Sequence, residues 1–213
     1  MGRVAITQQD INSVFSSRLC ITYGARVLPL SSEAPLYIQK AQLCQLTDEE
    51  AEELNEPITR DELLRAIRSL KPSKAPDRDG LPAVYYQKYS DQLAEKLLEV
   101  FIEAGERVRL PDTMCEALVV MIPKAGKDPK LVSSYRPLSM LNIDTKIFCG
   151  VLASRLLRFI PKLVHPDQNG FIPKRNPLLN IRRLTHIYHA SELQKDAHAL
   201  VFLDIEQAFD SLD

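Results

Sequence analysis

The 213-residue sequence predicts an α+β fold, mostly helical with a few strands. Three observations carry this. Apolar residues recur at helical spacing over most of the chain, whereas two short apolar runs, ALVVMIP (117–123) and AHALVFLDI (197–205), read as strands. The order is helices first, then strands mixed with helices. It shows neither an internal repeat nor the regular alternation of a wound βαβ fold.

Element by element, residues 10–23 place Ile11, Val14, Phe15, Leu19 and Tyr23 on one helical face and stop at Gly24. Residues 25–46 have no clear period and contain Pro29 and Pro35, so they read as a loop with a short helical piece. Thr59 followed three residues later by Glu62 is a capping box, and the helix it opens sets Leu63, Ile67 and Leu70 on one face. KPSKAPDRDGLP (71–82) is a loop. After it a helix through Leu93, Leu97, Val100 and Phe101 is expected to stop at Gly105.

The strand 117–123 is closed by Pro123 and the turn-forming AGKDP. The next helix, DTKIFCGVLASRLLRFIPKLV, lines up Ile147, Val151, Leu156, Phe159 and Leu163, with Lys146, Arg155, Arg158 and Lys162 elsewhere and Pro161 near its end. HPDQNGFIPKRNP (165–177) is a loop, LLNIRRLTHIYHASELQ a helix, and 197–205 the last strand.

Composition bounds the function. Hydrophobic residues at 45% and charged residues at 26% are ordinary for a globular domain with a real core. The net charge of −1 hides an asymmetry: residues 1–60 carry five Lys/Arg against eight Asp/Glu, and residues 121–183 carry twelve against three. That basic island suits a polyanion. Cys20, Cys44, Cys115 and Cys149 are too dispersed for a zinc site or a disulfide framework, and read as reduced, mostly buried thiols. No apolar run spans a membrane and MGRVAITQQD lacks an apolar signal core, so an intracellular protein, cytoplasmic or nuclear, is expected.

Two places are candidates for chemistry. Asp204 ends an apolar strand, where a carboxylate must be paired, hydrogen-bonded or metal-bound. Mg²⁺ favours such oxygen ligands, and a helix N-cap or a salt-bridged aspartate is the plainer reading of these residues alone. Lys124, Lys127, Lys130 and Arg136 lie in or beside one turn after a strand. Pro137 favours an extended backbone at Arg136, whose guanidinium can grip phosphate oxygens in pairs. Solvated surface charge is the plainer alternative. The four histidines form no ligand pattern, and no Ser/His/Asp order, Gly-rich phosphate loop or HExxH is present.

Four stretches, in one order over residues 54–213, resemble the reverse transcriptases of non-LTR (LINE-type) retrotransposons. LNEPITRDELLRAIRSLKPSKAPDRDG is similar to the segment leading into the family's KAPGPDG loop. VVMIPKAGKDPKLVSSYRPLSMLNIDTKI resembles its IPKPGKDP…YRPISLLN…KI motif, HPDQNGFIPKRNPLLNIRRL its HPDQ.GFIPGR…NIR motif, and VFLDIEQAFDSLD its first palm motif.

The resemblance implies polymerase fingers and a partial palm in a right-hand fold, with 1–53 a helical N-terminal extension and 54–213 an incomplete reverse transcriptase domain. It implies Asp204 as the first ligand of a two-metal Mg²⁺ centre, with Asp210 a supporting catalytic carboxylate. Phe209 is similar to the ring that excludes a ribose 2′-hydroxyl. Arg136, Lys124 and Gln168 would hold the incoming deoxynucleoside triphosphate, and Gly170 and Phe171 belong to the Gln168 motif that lines template and nucleotide. Lys127, Arg155, Arg158 and Arg175 would contact an RNA template and DNA primer, or their hybrid. The alternative is a non-catalytic nucleic-acid-binding module derived from a retroelement.

Three departures qualify this. Asp77-Arg78 replace Gly-Pro, Lys174 replaces the glycine of GFIPGR, and no F/Y-x-D-D follows Asp204. The last implies that this stretch alone lacks a complete metal centre and polymerase activity.

Overall fold

The computed structural model describes residues 7–24, 44–74, 76, 79–194 and 199–204. It divides into two compact units, one of residues 43–122 and 136–177, the other of residues 1–42, 123–135 and 178–213.

The larger unit is a helical core. Helix α2 (Asp48–Asn55) is capped by Thr47 and Glu50, each closing on the other's backbone N–H, and α3 (Arg60–Ser69) is capped in the same way by the Thr59–Glu62 pair expected from the sequence. The helix expected between Ala83 and Gly105 is instead α4 (Ala83–Lys88) and α5 (Ser90–Arg107), broken at Tyr89. Gly105 does not stop it. The left-handed residue is Val108 (φ 51°), whose N–H reaches the Gly105 carbonyl while Arg109 N–H reaches Ala104. One turn, α6 (Asp112–Cys115), leads into strand β1 (Ala117–Pro123), which has the predicted bounds. Strand β2 (Tyr135–Leu141) pairs with it, and helix α7 (Ile143–Leu163) follows, passing through Pro161.

The core forms where α3, α4, α5, α6 and α7 meet. Leu63 and Ile67 from α3, Ala94 and Phe101 from α5, Met114 from α6, and Ile147 and Val151 from α7 are almost wholly removed from water. Phe101 and Phe148 set their rings 4.9 Å apart and tilted by 58°. Tyr86 is buried and hydrogen-bonded to Asp144; both effects, burial first, push its phenol pKa upward. The Gln87 amide donates to the Ile67 and Leu70 carbonyls and so ties the end of α3 to α4.

The other unit holds α1 (Gln8–Tyr23), the 123–135 turn and α8 (Leu178–Gln194). Helix α1 begins at the Thr7 cap and buries none of its residues, and Phe15 meets Tyr135 edge-on at 5.1 Å. Two expectations need correction. Residues 199–204, expected to be strand, have no regular structure, and Leu200, Val201, Phe202 and Leu203 are all 60% or more exposed. A strand exists only through a partner for its N–H and C=O groups, and among the described residues β1 and β2 alone are paired. The four cysteines are free as expected, but exposed rather than buried. Asp77, Arg78, Phe209 and Asp210 lie outside the described residues. No described helix is long and apolar enough to cross a membrane.

Candidate nucleotide and nucleic-acid site

The sequence gathers its candidate cations on α7, on the turn before β2 and on the loop after α7, and the structure treats them differently.

On α7 the residues spaced by four, Ile143, Ile147, Val151, Arg155 and Phe159, face the core, so the buried stripe includes an arginine and leaves Leu156 nearly half exposed. This corrects the expected face, which had Leu156 inside and Arg155 outside. Arg155 is only 8% exposed, and its five N–H donors all have partners. Nε and Nη2 form a fork onto the Glu62 carboxylate at 2.6 and 2.7 Å. Nη1 donates to the Leu54 and Glu56 carbonyls, and Nη2 to that of Pro57. The Arg155 hydrogen bond holds the Glu62 carboxyl at a pKa of about 2, well below its usual 4.5 and against the opposing effect of burial. Arg155 has no donor left for phosphate, which corrects its expected role as a nucleic-acid contact.

One and two turns further along α7, Arg158 binds Glu53 and Lys162 binds Glu50 at 2.6 Å. The Lys162 contact also lowers the Glu50 pKa. Three cations of α7 thus clamp α2 and the segment after it. Both ends of the clamp were visible in the sequence, as TDEE at 47–50 and a basic helix, but nothing local paired them across roughly a hundred residues.

Arg175 is likewise directed inward. Nη1 donates to the carbonyls of His165 (2.6 Å) and Gln168 (2.8 Å), and Nη2 to those of Pro161 (2.6 Å) and Val164 (2.9 Å). Two acceptors lie in the last turn of α7 and its cap, where carbonyls lack helical partners and a cation is favoured. Arg175 therefore caps α7 and fixes the start of the loop through four of its donors. Within the loop, Asn169 is buried, and the exposed Gln168 donates weakly to the Gly170 carbonyl. Phe171 stands wholly in solvent with φ 61°, and Lys174, in place of the family's glycine, has φ 64°.

The 123–135 turn is held by its own backbone. Lys124 N–H donates to the Ser134 carbonyl at 2.7 Å, Lys124 Nζ reaches the Ser133 carbonyl at 2.9 Å, and Tyr135 donates its hydroxyl to Pro129. Gly126 takes φ 73° there. Lys127 and Lys130 are exposed, and no described residue pairs with either side chain. Arg136, second in β2, is also exposed and free of described partners, on the extended backbone that Pro137 favours.

Asp204 is exposed. A carboxylate is the donor a hard divalent cation takes, but no group of three His, Cys, Asp or Glu that could hold a metal occurs among the described residues.

Residues 122–213 match the family model described as reverse transcriptase (RNA-dependent DNA polymerase). The chain is 32% identical over 168 residues to the transposon TX1 uncharacterized 149 kDa protein of Xenopus laevis, covering 79% of this chain and 13% of that protein. It is 31% identical over 161 residues to the RNA-directed DNA polymerase from mobile element jockey of Drosophila funebris, covering 73% and 17%. Against the retrovirus-related Pol polyprotein from type-1 retrotransposable element R2 of Popillia japonica it is 28% identical over 156 residues, covering 73% and 21%. The chain spans between 13% and 21% of the length of these three relatives.

Proposed function

The chain belongs to the reverse transcriptases of retrotransposons, and on that premise we propose that it forms the fingers and first palm segment of a polymerase that copies RNA into DNA. The observation that carries this is the family match itself. It runs over 122–213 and so takes in Lys124, Arg136, Gln168, Asp204, Phe209 and Asp210 in motif order. The domain assigned to this activity is 54–213, with 1–53 an N-terminal extension; helix α2, which crosses that boundary, is clamped onto α7 by Glu53–Arg158 and Glu50–Lys162.

Each role rests on motif position, joined for the described residues by local geometry. Arg136 and Lys124 hold triphosphate oxygens of the incoming deoxynucleotide; the exposed, extended Arg136 offers a two-pronged guanidinium. Gln168 lies against the nucleotide and template, and Lys127 tracks the backbone of the primer–template. Asp204 offers a carboxylate to a divalent metal, with Mg²⁺ the proposed ion and Asp210 its neighbour in the motif. Bound there, Mg²⁺ would supply charge neutralisation at the transferred phosphoryl group and a more acidic primer 3′-hydroxyl. By its motif position alone, Phe209 is assigned the rejection of a ribose 2′-hydroxyl. We place the reaction in the cytoplasm or nucleus, where RNA templates occur and thiols such as the four free cysteines stay reduced.

A non-catalytic binding module is not favoured, because jockey and its like are named as polymerases and the matched span includes the aspartate motif. The test is RNA-templated primer extension by the polypeptide that carries this segment together with the rest of the length its relatives have. Asp204→Asn is expected to abolish incorporation, and undiminished synthesis by that variant would refute the reading.

A further inference from the structure

Helix α2 is seated by charge more than by packing. Its sequence, DEEAEELN, carries five carboxylates and no basic residue, and none of its residues is buried. A helix kept for stability alone buries an apolar stripe, which this one supplies only at the half-buried Ala51 and Leu54. Its C-terminal end is fixed, because buried Arg155 donates to the Leu54, Glu56 and Pro57 carbonyls. What the rest of the helix presents to α7 is Glu53 on Arg158 and Glu50 on Lys162. The two cations are still 59% and 45% exposed, and such pairs are individually weak and screened by salt.

An acidic helix laid on basic residues occupies them as a phosphate strand would, with carboxylates in place of phosphates. The tether at 54–57 makes the contact intramolecular, so these carboxylates stand at an effective concentration that a free strand does not match. The covered charge also continues beyond α2. Arg158 lines a groove between α3 and α7 together with Arg65, Ser69 and Ser154, and Arg65 is exposed with no described partner.

We propose that α2 is an acidic strap over Arg158 and Lys162, and that beneath it α7 keeps a latent binding surface for the phosphate backbone of a nucleic-acid strand. The proposal rests on the reverse-transcriptase reading for the identity of the ligand and adds a control on it. With the strap down these cations take no phosphate, and its release uncovers them.

The experiment measures the affinity of the 213-residue chain for a fluorescent RNA·DNA primer–template by anisotropy over a range of salt. Glu50→Gln/Glu53→Gln removes both strap charges, and a glutamine at position 50 still serves the capping box with Thr47. The slope of log affinity against log salt should steepen by about 0.9 for each cation uncovered, about 1.8 for the two. Adding Arg158→Gln to that variant should take back about 0.9, although the same substitution leaves the slope of the wild-type chain unchanged. Glu49→Gln/Glu52→Gln removes equal charge from the same helix without touching either pair, and should keep the wild-type slope. Exposed pairs contribute little to stability, so all these chains should keep the wild-type circular-dichroism spectrum.

A slope no steeper in Glu50→Gln/Glu53→Gln than in wild type, or an equal steepening in Glu49→Gln/Glu52→Gln, would overturn the strap while leaving the polymerase reading intact. Absence of salt-dependent binding by every one of these chains would overturn both.

Discussion

Helix α7 and the turn between β1 and β2 carry similar positive charge and use it in opposite ways. On α7, Arg155, Arg158 and Lys162 all face carboxylates of this same chain, and Arg155 is buried with every donor occupied. In the turn, Lys127 and Lys130 face solvent without a described partner, and Lys124 is held only by one carbonyl of the turn itself. A count of basic residues does not separate these cases. What separates them is whether the fold has already supplied anions and carbonyls at hydrogen-bond distance. A cation whose donors are filled contributes to folding, and one whose donors are empty is available to a phosphate.

The largest effect expected from this contrast is at Arg155. Arg155→Ala strands the Glu62 carboxylate and three carbonyls, and should destabilise the protein by about 3–5 kcal/mol in urea unfolding. A shift of under about 1 kcal/mol would mean the pair is not buried in solution. The counterpart in β2, Arg136→Ala, should leave stability within about 0.5 kcal/mol but weaken binding of a fluorescent deoxynucleoside triphosphate by about 1.5–3 kcal/mol, the value of hydrogen bonds to charged groups.

The Arg155–Glu62 pair also fixes a pH dependence. Glu62 is depressed from 4.5 to about 2 by the Arg155 hydrogen bond, so the folded state binds fewer protons there than the unfolded state. Its contribution is fully present above the unfolded value and is lost as pH falls from about 4.5 towards 2. Acid titration of Glu62→Gln should lack that component of the loss, and identical acid profiles for variant and wild type would remove the pair from the account.

The smallest effect is at Lys174. Its left-handed backbone costs a side chain of order 1 kcal/mol, so Lys174→Gly should raise stability by roughly that amount. A fall in the melting temperature would show that the side chain earns its strain through contacts in the fold.

Much of this architecture is legible in short stretches of sequence. The Thr59–Glu62 capping box, strand 117–123 and the helices at α1, α7 and α8 are set by neighbours within a turn or two, and the structure has them where periodicity and capping chemistry put them. The failures need long-range information. Gly105 looks like a helix stop until Val108 is found in the left-handed position. Strand β2, with Pro137 inside it, depends on pairing with β1, and the apolar run at 199–204 is not a strand without such a partner.

The burial of Arg155 is not legible locally, because a stripe spaced by four that contains an arginine looks less apolar than the neighbouring stripe through Leu156. Only the Glu62 carboxylate and the 54–57 carbonyls, ninety or more residues away, make its burial favourable. Of the candidate site, motif order proposes Lys124, Arg136 and Asp204 without a structure, whereas the inward direction of Arg155 and Arg175 and the exposed ring of Phe171 are visible only in one.

The division of cations between fold and ligand is tested most directly by the salt dependence of primer–template affinity in three chains: wild type, Lys127→Gln and Arg158→Gln. Each phosphate contact removed lowers the slope of log affinity against log salt by about 0.9. Lys127→Gln is predicted to lower it by about that amount, and Arg158→Gln to leave it at the wild-type value. A reduced slope for Arg158→Gln with an unchanged slope for Lys127→Gln would contradict the account.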